Sequence, residues 1–528
     1  MKMDDWHALA LRSLDASATA VTNGSMRQGG ARGALWTAAC VLLAAAGFSR
    51  VALADAESAT VTPTYGGNGV PLLFGHAGFD LVTVGYAQSE FFLEGTARAH
   101  APADPLTNDG KWNVTPVAPA AYRTRLVVSR PIDPRAFNGS VVVEWLNVSG
   151  GADASPDWQH MHVELIRQGY AWVGVSAQSV GLNQLKCAAP GAGCPAAGDP
   201  LRYASLLHPG DSYSYDIFSQ AGQAIRDQRL LVLDGLVPER LIAVGESQSA
   251  WRLTTYINAA HPLVLVYDAF VVHSRGAGGA ALTQAPLPAV PTPVPTYIRN
   301  DLDVPVMVFQ AENDTGALLA RQPDGALFRL WEVAGTAHFD QYGLIQAGND
   351  RGEQSSVAGW FDSMLNPSSD PSPSFSCQAP INTGPATFVM RALVRALDAW
   401  LVDGTPPPMA ERLQTNSIAP VQYAVDAYGN VLGGIRTPAV DTPVARINGL
   451  GQPAGGTGAF CFLFGVTAPF TTSQLLELYG NHGGFVSEWT RATRSAVNAG
   501  FLLHEDAQQM RAVAAKARIL NRDSAAGP

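Results

Sequence analysis

The 528-residue chain is 47% apolar and 15% charged, a balance that excludes both a disordered polymer and a polytopic membrane protein and demands a large packed core. Lys and Arg number 34 against 44 Asp and Glu, a net charge of −10, and no basic cluster supplies the footprint of a nucleic-acid binder. Length alone allows several average domains or one large α/β domain with insertions.

Residues 35–48, reading LWTAACVLLAAAGF, form the one stretch resembling a membrane span, yet they fall short of the roughly 20 apolar residues a transmembrane helix needs. With Arg27 and Arg32 before it and Ala52-Leu53-Ala54 after it, the segment reads as the hydrophobic part of a secretory leader occupying residues 1–54. Cleavage after Ala54 would start the mature chain at Asp55. The run before Met26 is long for the first region of a leader, so Met26 is the expected true start. An uncleaved anchor is the rival reading. The expectation is an exported protein, periplasmic or secreted, with no stable membrane span after processing.

Cys40 would leave with the leader, and the four remaining cysteines suit an oxidising compartment. Cys187 and Cys194 bracket a short Pro/Gly/Ala loop and are expected to pair locally, leaving Cys377 for Cys461; two other connectivities stay open. No C-x-x-C spacing or partnering histidine pair suggests zinc, and no cofactor or metal is expected.

Residues 61–122 alternate short β-like runs with Gly and Pro, as in an antiparallel approach to a larger sheet. Apolar strand candidates follow at residues 140–145 (SVVVEW), 171–176, 241–244, 269–272, 304–309 and 327–333. Unbroken apolar strands are buried on both faces, hence a largely parallel sheet. Ile217, Ala221, Ala224 and Ile225 make a helical stripe between two of them, and residues 387–401 make another. Strand and helix alternation gives an α/β layered fold. Gly, Pro and Ala at 275–296 and the polar, proline-spaced run at 368–376 break the pattern. They mark lid-like insertions near 275–300 and 345–385 of a domain spanning 55–405. Pro406-Pro407-Pro408 closes it; residues 424–464 are Gly-rich and β-like and 472–520 are helical, a C-terminal extension (406–528) packed on the core or used for assembly.

The string Leu241-Ile242-Ala243-Val244-Gly245-Glu246-Ser247-Gln248-Ser249-Ala250 is an apolar strand running through a tight turn into a helix, a nucleophile elbow. Ser247 is the candidate nucleophile; Gly245 and Ser249 supply the small flanking residues that close strand and helix approach requires, Ser249 standing where a second glycine is usual. The plain alternative is an N-cap serine. A serine hydroxyl needs a base, and the base needs an acid to orient it. After the strand at 304–309 the chain reads Gln310-Ala311-Glu312-Asn313-Asp314, and Asp314 is the expected acid, with Glu312 as competitor. After the next strand, Ala334-Gly335-Thr336-Ala337-His338 presents the expected base, His338. For the oxyanion hole the expected donors are the Gln248 amide and one from Val148 or Ser149 in the Gly-Gly loop after SVVVEW. Asn147-Val148-Ser149 is also a glycosylation sequon. His160, His162, His208, His261 and His273 receive no role.

With these strings, and with residues 137–148, 244–249, 304–314 and 331–338 in particular, the chain resembles the α/β-hydrolase superfamily, and more narrowly the exported bacterial family labelled "alpha/beta hydrolase domain". The resemblance spans residues 61–519. It implies an α/β-hydrolase fold with an eight-stranded, mostly parallel sheet flanked by helices, and a metal-free serine hydrolase with Ser247, Asp314 and His338 at the motif positions. The expected function is cleavage of carboxylic esters, small or polymeric, through an acyl-enzyme. Acyl transfer by the same triad and a non-catalytic binding module on a retained fold are the alternatives.

Overall fold

The apolar runs of the sequence become neighbouring strands of one sheet in the computed structural model, which describes residues 59–370 and 376–520. The strands are β1 (Thr60–Pro63), β2 (Tyr86–Pro102), β3 (Val114–Pro131), β4 (Ser140–Trp145), β5 (Ala171–Val175), β6 (Arg240–Glu246), β7 (Ala269–His273), β8 (Val306–Gln310) and β9 (Phe328–Glu332). They lie in the order β1-β2-β3-β5-β4-β6-β7-β8-β9. Every pairing from β5 across to β9 is parallel, and the pairings that attach β1, β2 and β3 are antiparallel. The sheet has nine strands, the eight implied by resemblance and the four-residue edge strand β1. The expected leader lies outside the described residues, as does the 371–375 part of the polar insertion.

Side chains alternate across a strand, and here both sets are apolar. Val141, Val143, Val173, Leu241, Ala243, Phe270 and Val272 face one core with Ile217, Phe218, Ala221 and Ile225 of helix α2 (Ser214–Asp227). Val142, Trp172, Ile242, Val244, Val271, Met307 and Trp331 face a second core with Trp158, Met161 and Leu165 of α1 (Pro156–Gln168). Helix α5 (Ala386–Asp403) adds Val389, Leu393 and Leu397 to that second core. Helices therefore cover both faces, and the loops at the carboxyl ends of the parallel strands are left to build a site.

The first part of the sheet differs from the short runs expected: β2 and β3 form one long antiparallel pair. Pro116 and Pro119 interrupt the apolar pattern of β3 without ending the strand, because the register shifts between them. Ala118, at φ 47°, is passed over in the pairing, so the prolines flank a bulge rather than a break.

Residues 274–305 hold no helix or strand beyond a bridge between Thr283 and Val290. They lie along α3 (Gln248–Thr255): the Ala280 N–H donates to Trp251 O (2.9 Å), and Thr255 Oγ1 donates to Ala280 O (2.6 Å). The second insertion contains α4 (Gln354–Leu365). Beyond α5, the Ile435 N–H donates to Glu332 O and the Ala334 N–H to Ile435 O, so this segment continues the edge of β9. The helical tail comprises α6 (Thr472–Tyr479), α7 (His482–Asn498) and α8 (His504–Lys516). Its Phe485, Trp489 and Met510 share a core with Trp360 and Phe361 of α4. Disulfides join Cys187 to Cys194 and Cys377 to Cys461, the pairing expected. Among the described residues no helix is long and apolar enough to cross a membrane.

Candidate active site

Strand β6 ends at Glu246 and α3 begins at Gln248, so Ser247 alone makes the turn between them. Its backbone sits at φ 57° and ψ −118°, a conformation that costs a non-glycine residue roughly 1–3 kcal/mol. Two hydrogen bonds hold it there, from the Ser247 N–H to His273 O (2.9 Å) and from the Trp251 N–H to Ser247 O (3.1 Å). The small flanking residues are explained by packing. A Cβ on Gly245 would stand 3.1 Å from the carbonyl carbon and oxygen of Ser249, and Ser249 itself is buried with Oγ donating to Leu146 O (3.3 Å).

His338 follows β9 and Asp314 follows β8, each a few residues beyond the carboxyl end of its strand. His338 Nε2 lies 2.7 Å from Ser247 Oγ, and its Nδ1 lies 2.6 Å from Asp314 Oδ1. Asp314 is itself fixed: its Oδ2 accepts from the Ala311 N–H (2.7 Å). Glu312, the competing acid, turns elsewhere. Fully buried, it accepts from the Gly335 N–H (2.5 Å) and the Gly449 N–H (2.7 Å), pinning two loops together. Burial pushes its carboxyl up to about 7 despite those two amides.

Gln248 opens α3 directly after Ser247, so its N–H has no intrahelical partner and is the candidate first donor. On the loop after β4, the Ser149 N–H already donates to Asn147 Oδ1 (2.8 Å), which leaves Val148 as the candidate second donor. Asn147 Nδ2 in turn donates to Glu246 O (3.0 Å) and Glu246 Oε2 (3.1 Å). Glu246 is the residue the sequence did not single out. Its Oε1 lies 3.2 Å from His338 Nε2, so the imidazole has three side-chain partners: Ser247, Asp314 and Glu246. Burial lowers the His338 pKa, but the Asp314 and Glu246 carboxylates outweigh it and lift the imidazole to about 9. Burial raises Glu246 to about 8, with His338 opposing and Asp157 and Asp314 assisting.

The histidines without an expected role occupy the interior. His273 Nδ1 meets Asp157 Oδ1 at 2.9 Å beneath the elbow, and burial lowers its pKa. His160 and His162 leave α1 in different directions, toward Phe339 and Asp350 respectively. His208 binds Ala177 O, and His261 packs on Phe270. Among the described residues no group of three or more His, Cys, Asp or Glu side chains is disposed to hold a metal ion.

A serine on a positive-φ turn between a parallel strand and a helix, joined through histidine to a carboxylate two strands away, is accompanied by a match to a family model. Residues 58–512 match the model described as alpha/beta hydrolase domain. The chain belongs to the alpha/beta hydrolase family. Solved structures similar to this alpha/beta hydrolase include XC6422 from Xanthomonas campestris, a serine hydrolase without a lid. It is 17% identical over 50% of this chain and 95% of its own, with a TM-score of 0.25. The rice cell wall degrading esterase LipA from Xanthomonas oryzae is 13% identical over 37% of this chain and 44% of its own, with a TM-score of 0.21. A fungal esterase from Rhizomucor miehei is 12% identical over 42% and 66%, with a TM-score of 0.22. No curated protein matches this alpha/beta hydrolase.

Proposed function

We propose that the protein is an exported serine hydrolase that cleaves carboxylic esters through an acyl-enzyme. The observation that carries the reading is the unbroken chain from Ser247 Oγ to His338 Nε2 (2.7 Å) and from Nδ1 to Asp314 Oδ1 (2.6 Å). Ser247 Oγ forms a bond to the acyl carbon as its proton passes to Nε2, and the carbonyl π electrons move onto the oxygen, held by the amides of Gln248 and Val148. The imidazolium then gives its proton to the departing alcohol oxygen as that C–O bond breaks. Water repeats the sequence on the acyl-enzyme and frees Ser247. Asp314 fixes the tautomer with the proton on Nδ1, so that Nε2 is free to accept.

Export is supported by the two disulfides, which persist in oxidising compartments, and by the leader-like residues 1–54. A fluorophosphonate probe tests the reading: labelling of the wild type and none of Ser247→Ala is expected. Failure to label folded wild-type protein would remove the enzyme reading and favour a binding module. Hydrolysis of a graded ester panel by the labelled-competent protein then defines acyl and alcohol groups.

A further inference from the structure

The mechanism proposed above uses one carboxylate on the base, but the structure brings two. Asp314 meets His338 at Nδ1, whereas Glu246 Oε1 stands 3.2 Å from Nε2, the nitrogen that also meets Ser247 Oγ. Glu246 is 4% exposed and cannot swing freely, because Asn147 Nδ2 holds both its Oε2 and its backbone carbonyl. The same Asn147 fixes the Ser149 N–H through Oδ1, so one amide side chain ties Glu246 to the loop carrying Val148.

We infer that Glu246 is a positioning residue for the base: it holds the protonated imidazole of His338 from the Nε2 side and thereby confines hydrolysis to the alkaline side of neutrality. This rests on the serine hydrolase reading. When Oγ bonds to the acyl carbon and its proton moves to Nε2, Oγ becomes an ester oxygen and a poor acceptor. Glu246 Oε1, 3.2 Å away, is then the side-chain acceptor that Nε2–H retains until the leaving oxygen takes the proton; no proton passes to Glu246 itself. The same attraction operates before substrate arrives, so a resting imidazolium must first lose its proton before it can serve Ser247.

The groups around Glu246 act in opposite senses, Asp157 and Asp314 raising its carboxyl pKa and His338 and His160 lowering it. His338 and Asp314 face it from the loops after β9 and β8, and Asp157 and His160 face it from α1. His273, from the end of β7, is bonded to Asp157. With the carboxylates outweighing burial, His338 is lifted to about 9, so the share of its neutral, proton-accepting form grows on the alkaline side. An unperturbed histidine base, at about 6.5, would already be fully active there.

The test is the pH profile of kcat/KM for wild type, Glu246→Gln and Glu246→Asp, with His338 titrated by NMR in each. Gln keeps an acceptor for Asn147 but removes the charge, so its acid limb and His338 titration should fall by at least about one pH unit, a tenfold change in proton affinity. Asp keeps the charge, and its limb should stay above neutrality. A Glu246→Gln profile superimposable on the wild type overturns the inference. The NMR titration requires no turnover, so a protein that fails to label with fluorophosphonate loses the serine hydrolase reading while Glu246 is still judged. Should Glu246→Gln fail to fold, the wild-type titration decides, and a His338 value near 6.5 overturns the inference.

Discussion

Replacing Asp314 by Asn separates the two acids of the β8 loop. Asp314 Oδ2 accepts from the Ala311 N–H at 2.7 Å, and Oδ1 faces His338 Nδ1 at 2.6 Å. An Asn in that position satisfies Ala311 with its oxygen, which turns its NH2 group toward Nδ1. The imidazole must then carry its proton on Nε2, facing Ser247, and can no longer accept from it. The corresponding loss in a serine triad is about 10⁴ in kcat, or roughly 5 kcal/mol of transition-state stabilisation. Glu312→Gln should behave differently. Glu312 accepts from the amides of Gly335 and Gly449, one on each oxygen. A Gln leaves one amide facing an NH2 group, costing about 1–3 kcal/mol of stability with turnover changed by less than about tenfold. Turnover of a p-nitrophenyl ester and urea unfolding of the two variants measure both effects. A larger loss of turnover in Glu312→Gln than in Asp314→Asn would refute the reasoning.

Gly245→Ala places a methyl group 3.1 Å from the Ser249 backbone and should cost about 1–3 kcal/mol through overpacking; a urea midpoint equal to the wild type would contradict this. Loop-closure entropy predicts roughly 4–5 kcal/mol from the Cys377–Cys461 bond, with its separation of 84 residues, and roughly 2–3 kcal/mol from Cys187–Cys194, separated by 7. Unfolding of the two double Cys→Ser variants should therefore rank in that order, and the reverse order would count against the entropic account. Arg391 is buried, with Nη2 on Asp350 (2.9 Å) and Tyr342 Oη (2.8 Å) and Nη1 3.4 Å from Asp506. Arg391→Met leaves Asp350 without its arginine, while Asp506 keeps Arg167 at 2.9 Å, and should cost about 3–5 kcal/mol by chemical denaturation, whereas a loss below about 1 kcal/mol would show that the network adds little.

The parallel part of the sheet was legible because β4 through β9 are buried on both faces, and double burial leaves short apolar runs that recur between helical stripes. Strands β2 and β3 were less legible: the prolines that read as breaks sit beside a bulge, and their tolerance there depends on a partner strand far along the chain. Ser247, the β8 acid and His338 could be found because each follows its own strand, and the fold aligns strand ends at one rim. Which of Asp314 and Glu312 meets His338 was less legible, since two carboxylates separated by one residue are told apart only by the loop's turn. Gly335 and Gly449 capture the first and His338 meets the second. Glu246 carried no signal beyond its place in the elbow. Its significance lies in a contact with His338 that no local pattern encodes.

The central claim is that Ser247 becomes covalently acylated, and trapping that species tests it most directly. Protein mixed with an acetyl ester and quenched in acid should yield an acetylated peptide containing Ser247 by mass spectrometry, absent in Ser247→Ala and depleted in His338→Ala. Ester hydrolysis that proceeds with Ser247 unmodified at every quench time, or undiminished in Ser247→Ala, would contradict the account.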